Sequence, residues 1–237
     1  SPMSRGLGDV YKRQVFPVAQ TLGAWTAAEQ GSIFFENVVN ENTTSNRQLI
    51  IHEVMGRHCG WLTAQTAKDY RLKLRNKEFL PELLVDKARW DIDAIYIPEE
   101  DFNFQHEVIR LRDLMDRKDS VNIFLSEGAG QDAIVRELEK KGDVVPRDAF
   151  GHVRLDEINP GQWFAKQFAS ELKAEKTLVQ KSGYFARSSK ANTRDLELIK
   201  RSAFFAAEQG LERKGGLAGL DEDNQGNLRL IEFERIK

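Results

Sequence analysis

The sequence predicts an α/β protein of three layers, with a mostly parallel sheet covered by helices on both faces. Three observations predict it. Short β-branched runs alternate with longer stretches of helical periodicity from Val15 onward. Runs such as Leu49-Ile50-Ile51 and Ile123-Phe124-Leu125 are apolar at consecutive positions, the pattern of strands buried on both faces. The chain has 237 residues, 41% hydrophobic and 30% charged, which is enough for one large or two modest domains.

Each element follows from its own pattern. Thr21 to Asn40 reads as an amphipathic helix with Leu22, Trp25, Ala28, Phe35 and Val38 turned inward. A polar loop, Asn40 to Asn46, leads to a first strand, Leu49–Val54, which is bounded by glycine. Past Gly60 the pattern turns helical through Leu62, Ala64, Thr66 and Ala67, and residues 71–91 read as charged helical pieces on the surface. Asp93–Ile97 is a second strand, stopped by Pro98. Gln105–Arg117 is a helix with Val108, Ile109, Leu111, Leu114 and Met115 available to pack. Val121–Leu125 is a third strand ending in Ser126-Glu127-Gly128-Ala129-Gly130, and a basic-ended helix covers 131–141. Asn159-Pro160 reads as an N-cap with proline at the first helical position, leading to Phe164, Phe168 and Leu172. Thr177–Gln180 is a fourth strand, Asn192 caps a helix to about Gln209, and Leu228–Phe233 is a closing strand.

The bulk numbers exclude several classes. A formal net charge of −2 gives no electrostatic footprint for nucleic acid. No apolar run reaches the ~18 residues of a membrane span. The single cysteine, Cys59, excludes an internal disulfide framework and fits a reducing compartment, so a cytoplasmic location is expected. Residues 1–14 lack apolar periodicity and resemble a translated-adapter artefact; they are expected to be poorly packed, with the native protein beginning near Val15.

Three strand ends carry similar equipment. Met55-Gly56-Arg57 follows the first, Glu127-Gly128 the third, and Tyr184 with Arg187 the fourth. Ligands of open α/β sheets sit at the carboxyl ends of strands. If the strands are parallel neighbours, two guanidinium groups, a carboxylate and a phenol converge there. Arginine suits phosphate and a carboxylate accepts hydroxyl protons, so the set reads as a sugar-phosphate pocket, against the bland alternative of solvated loop residues. Other polar residues read as structural. His52 is expected to be packed in the core and Cys59 to be a small buried residue, while His106 and His152 have no evident partners. Gly128-Ala129-Gly130 reads as a turn, Asp221–Gly226 as a solvated acidic turn rather than a calcium loop, and Trp25, Phe34 and Phe35 as core.

Three motifs carry a family resemblance. His52-Glu53-Val54-Met55-Gly56-Arg57-His58-Cys59-Gly60-Trp61 resembles the Met-Gly-Arg signature of the phosphofructokinases. Lys181-Ser182-Gly183-Tyr184-Phe185-Ala186-Arg187-Ser188 and Leu22-Gly23-Ala24-Trp25-Thr26-Ala27-Ala28-Glu29-Gln30-Gly31 resemble its pyrophosphate-dependent branch. The resemblance implies that Met55, Gly56 and Arg57 contact fructose 6-phosphate through their loop. It implies that Glu127 holds sugar hydroxyls and that Tyr184 and Arg187 form a Tyr-x-x-Arg pair with Arg187 on the 6-phosphate. Arg47 lies within one residue of where the family places an arginine reaching into a neighbouring subunit's site. Pyrophosphate and Mg2+ are implied for the intact enzyme, as is a homo-oligomer of at least two chains.

The departures matter as much. The family's Thr-Ile-Asp-Asn-Asp loop, with its general base, belongs just before Val15, where Lys12-Arg13-Gln14 stands. The glycine-rich donor segment and magnesium support belong further upstream. A fragment truncated at both ends is therefore expected: 15–183 mainly an acceptor domain, and 184–237 a return segment toward the donor domain. It is expected to be inactive alone, with exposed sheet edges and apolar surface. The alternatives are an ATP-dependent phosphofructokinase and a non-catalytic sugar-phosphate-binding or regulatory subunit.

Overall fold

The computed structural model describes residues 17–80, 82, 86–149 and 151–236; the adapter-like segment, 1–14, lies outside them. Strand β1, Gln48–Val54, is buried at every position, and so is β3, Ser120–Ser126. They pair in parallel, Gln48 opposite Ser120 through Val54 opposite Ser126. The short β2, Ala94–Tyr96, flanks β3, and β4, Lys176–Lys181, flanks β1, giving the all-parallel order β2-β3-β1-β4. As an edge strand β4 is partly exposed along its length.

Alternate side chains of these strands feed two cores, as the two-residue period dictates. On one face Leu49, Ile51, Ile123 and Leu125 pack against helix α3, Phe104–Lys118, and helix α6, Pro160–Leu172. On the other face Ile50 and Phe124 meet Phe35 of α1, Ala24–Val38, and Ala67, Tyr70 and Leu74 of α2, Trp61–Asn76. The expected three layers are present. The crossover from β1 to β2 passes over β3 through α2 on one face; the direction then reverses, and α3 and α6 return on the other. Right-handed crossovers require that change of face with direction. It creates a switch point between the carboxyl ends of β1 and β3.

The remaining helices are α4, Gln131–Lys141; α5, Leu155–Ile158; α7, Gly183–Ser188; and α8, Thr193–Leu211. A separate antiparallel hairpin, β5 Leu217–Asp221 and β6 Asn227–Ile231, closes the described chain. Residues near the start join it: Val18 bridges Asp221, Ala19 N donates to Leu220 O at 2.8 Å, and Glu222 N donates to Pro17 O at 2.8 Å.

Several expectations are corrected. Leu22 is 41% exposed and Ile109 is 69% exposed, because one precedes its helix and the other lies on the outer face. Residues 71–76 continue α2, and Trp90 is buried at the end of a 3-10 turn, so the 71–91 stretch is not wholly surface. Asn159 does stand at the N-cap of α6 with Pro160 in the first turn, but its side chain makes no cap bond; it sits at φ 49, and its Oδ1 accepts from Lys181 Nζ at 2.9 Å. The acidic turn is a 3-10 turn, Glu222–Asn224, whose first neighbour Asp221 is fully buried under two bonds from Arg235 at 2.8 and 2.9 Å. Strand β5 was not anticipated. The apolar surface that was anticipated lies partly on α8, where Phe204 and Leu211 are exposed.

Candidate functional site

At the carboxyl edge of the sheet, three loops are built into one another. The first turns at Gly56, φ 138, where a side chain would run into the Cys59 carbonyl. Its carbonyl accepts from Ser126 Oγ at 2.6 Å, and Glu127 N donates to Val54 O at 2.9 Å, so the ends of β1 and β3 are stitched together. Gly128 lies directly under the Arg57 carbonyl, with no room for a Cβ. The fourth strand's loop joins through Gly183, where an added Cβ would stand 3.2 Å from Met55 Cγ. Met55 and Ala186 of α7 share a buried cluster with Ala27, Ala28, Val54 and Leu62.

This places Met55, Gly56, Arg57, Glu127, Tyr184 and Arg187 on one rim, around the switch point. Their exposures differ. Met55 is buried and acts by packing, Arg57 and Glu127 are half-buried, and Tyr184 is 86% exposed. Arg187 is half-buried, and its buried Nε makes no hydrogen bond among the described residues. Arg47 is not brought to this rim. It precedes β1, its Nη1 2.7 Å from Asp116 Oδ1, its Nη2 donating to Leu172 O at 2.6 Å and its Nε to Lys173 O at 2.9 Å. At ~3.3 Å per strand residue it stands roughly 25 Å from Met55.

Carboxylates from the chain itself plug three helix N-termini. Glu99 takes the Gly60 amide of α2 at 2.7 and 2.9 Å. Glu53, buried, takes the Gly161 amide of α6 at 2.9 Å and pairs with Lys181 Nζ at 3.0 Å. Asp195 takes two amides at the start of α1. The positive ends of these dipoles are already satisfied, so an anion at the rim would depend on the guanidinium groups. Partial desolvation first, then the charges of Arg57 and His152, hold the His58 imidazole below its usual range. His58 therefore adds no cation at neutral pH.

The other polar residues resolve as structure, with two corrections. His52 is fully buried, stacked on Phe35 at 5.5 Å and edge-on to Phe124 at 4.7 Å, and neither ring nitrogen has a hydrogen-bond partner among the described residues. Burial alone drops its pKa to about 3, so it is a neutral core residue. Cys59 is half-buried rather than buried, and both histidines do have carboxylate neighbours, His152 with Asp148 Oδ2 at 3.3 Å and His106 with Glu107 Oε1 at 3.8 Å. Glu53, Glu99 and Asp195 were missed by sequence reasoning, because their partners are backbone amides at least 39 residues away. Among the described residues no group of three or more His, Cys, Asp or Glu is placed to hold a metal ion. No described helix is long and apolar enough to cross a membrane.

Comparison with known proteins gives the family. The family model described as Phosphofructokinase matches residues 14–209. The pyrophosphate–fructose 6-phosphate 1-phosphotransferase of Methylotuvimicrobium alcaliphilum is 55% identical over 98% of this chain and 57% of its own length. Its counterparts from Mastigamoeba balamuthi and Propionibacterium freudenreichii are 54% and 49% identical over the same shares. The chain thus spans 57% of the length of these curated relatives. Among solved structures, the pyrophosphate-dependent phosphofructokinase of Marinobacter aquaeolei superposes with a TM-score of 0.55 at 17% identity, over 92% of this chain and 47% of that one. Pichia pastoris phosphofructokinase in the T-state gives 0.54 at 17% identity, over 94% and 20%. At that identity the superpositions speak for the fold, and the sequence matches speak for descent: the chain belongs to the phosphofructokinase family, on its pyrophosphate-dependent branch.

Proposed function

We propose that this chain is the acceptor-binding portion of a pyrophosphate-dependent 6-phosphofructokinase, which in its intact form interconverts fructose 6-phosphate and fructose 1,6-bisphosphate in cytoplasmic glycolysis as an oligomer of at least two chains. One observation carries the reading. Arg57, Glu127 and Arg187, contributed by three parallel strand ends, share the rim of the switch point, and the buried Arg187 Nε has a hydrogen bond still to make. Arg187 takes the 6-phosphate, a planar donor fork against a tetrahedral anion. Glu127 accepts from sugar hydroxyls, and the glycines at 56 and 128 let backbone approach the ligand closely.

Phosphoryl transfer is mostly positioning plus electrostatic stabilisation of an in-line transition state. The described residues supply the positioning of the acceptor and no step beyond it. Magnesium would neutralise donor charge in the intact enzyme.

Calorimetric titration with fructose 6-phosphate tests the site. Arg187→Ala should weaken binding about tenfold or more, since a charge-assisted bond contributes about 1.5–3 kcal/mol. An unchanged affinity removes Arg187 from the site. The chain alone, given magnesium and pyrophosphate, should form no fructose 1,6-bisphosphate in a coupled assay, and measurable product would refute the acceptor-only reading.

A further inference from the structure

Asp195 is a fully buried carboxylate that acceptor binding does not use. It stands in the first turn of α8, and its bonds reach back to the start of α1. Oδ1 accepts from Gly23 N at 3.0 Å, and Oδ2 accepts from Thr26 N at 2.6 Å and from Thr26 Oγ1 at 2.5 Å. Helix α1 has no side-chain cap from its own N-cap residue, Gly23. Its orphan amides are satisfied from across the fold. Asn192 completes the joint. Its amide donates to Thr26 Oγ1 at 3.0 Å, its Nδ2 donates to Glu29 Oε2 at 2.8 Å, and its Oδ1 accepts from Asp195 N at 3.0 Å. The Arg194 guanidinium lies 3.2 Å from the centroid of the Trp25 ring.

Helix α7, which carries Tyr184 and Arg187, runs directly into this joint. Its middle is seated on α1, with Ala186 among Ala27 and Ala28 and Phe185 5.6 Å from Phe34. Just past its end, Ser189 Oγ donates to Gln30 Oε1 at 3.2 Å, and the chain then reaches Asn192 and Asp195. Arg187 thus sits between two anchors, one in the middle of α7 and one just past its end. A six-residue helix has too few internal bonds to hold itself in place, so its register depends on these anchors.

We propose that Asp195 is a positioning residue for Arg187: by capping α1 from α8, it locks α7 against α1 and fixes where the guanidinium is presented. The proposal rests on the reading of Arg187 as a phosphate ligand, and goes beyond it by assigning what holds that ligand in place. A carboxylate that only stabilised the fold would act on all three loops alike. A clasp acts on α7 alone.

The test is Asp195→Asn, which keeps the shape of the side chain but cannot accept all three bonds. Two readouts are taken, amide hydrogen exchange and calorimetric titration with fructose 6-phosphate. The variant should speed exchange across Gly183–Ser188 about tenfold, a single 1.4 kcal/mol step, with β1 and β3 unchanged. It should weaken fructose 6-phosphate binding by a similar factor, and add nothing further in an Arg187→Ala background. Unchanged exchange in Gly183–Ser188, exchange raised equally in β1 and β3, or an affinity loss that persists without Arg187 would each overturn the proposal. If Arg187→Ala alone leaves affinity unchanged, the phosphate reading fails, and the exchange measurement still decides whether Asp195 holds α7. Thr26→Val, which removes only the hydroxyl of the joint, carries the same comparisons should Asp195→Asn fail to fold.

Discussion

His52 should make the fold lose stability in mild acid, and replacing it should remove that loss. The ring is fully buried between Phe35 and Phe124, with both nitrogens unpartnered, and its pKa falls to about 3 from 6.5. Between those values the unfolded chain holds a proton that the folded chain refuses. The stability contributed is therefore complete above pH 6.5 and is lost as pH falls, at a slope approaching about 1.4 kcal/mol per unit. Between pH 7 and pH 5, where surface carboxylates remain ionised, the loss from this one group is roughly 2 kcal/mol. His52→Phe keeps an aromatic ring among aromatic rings and cannot be protonated. Urea unfolding followed by tryptophan fluorescence at both pH values measures the difference. The variant should lose roughly 2 kcal/mol less than the parent over that window. At pH 7 it should be no less stable, because two unsatisfied buried atoms are gone. Equal acid losses in the two proteins would refute the reasoning.

Four further variants test the packing. Gly128→Ala should drive the Arg57 backbone off its seat and weaken fructose 6-phosphate binding about tenfold or more by calorimetry, because no rotamer moves a Cβ out of the way. Glu53→Ala leaves the buried Gly161 amide without its acceptor and takes the carboxylate away from Lys181, and should cost about 1–3 kcal/mol in urea unfolding. Phe35→Ala, which empties the middle of the α1–sheet core, should cost about 3–5 kcal/mol by the same measurement, while Ile109→Lys on the exposed face of α3 should change stability by less than about 0.5 kcal/mol.

The two central strands, β1 and β3, were legible because they are buried at every position, which leaves apolar runs such as Leu49-Ile50-Ile51 with no polar alternation to confuse them. The hairpin was half-legible. Strand β6 has alternating Leu228 and Leu230, while β5 is Leu-Ala-Gly-Leu with glycines before and within it, and read as loop. Its strand character comes from pairing with β6 and with Val18, which no local pattern encodes. The rim residues were named through motifs. Their clustering follows from the strand order, which the sequence left open. Leu22 and Ile109 misled because a helix period tells which residues share a face without telling where the helix begins or how wide its buried stripe is.

The bridge between Val18 and Asp221 has a consequence for how the chain acquires its shape. The two residues are separated by about two hundred positions, so joining them costs about 5 kcal/mol of loop-closure entropy beyond a constant offset if nothing in between is ordered. The parallel sheet lies wholly inside that loop, and once formed it brings the two ends near and removes most of the cost. On the ribosome, Pro17 to Ala19 emerge before the sheet and wait for partners made after it. Assembly is therefore expected to run from the sheet outward, with the small hairpin the final piece to lock and the first to open.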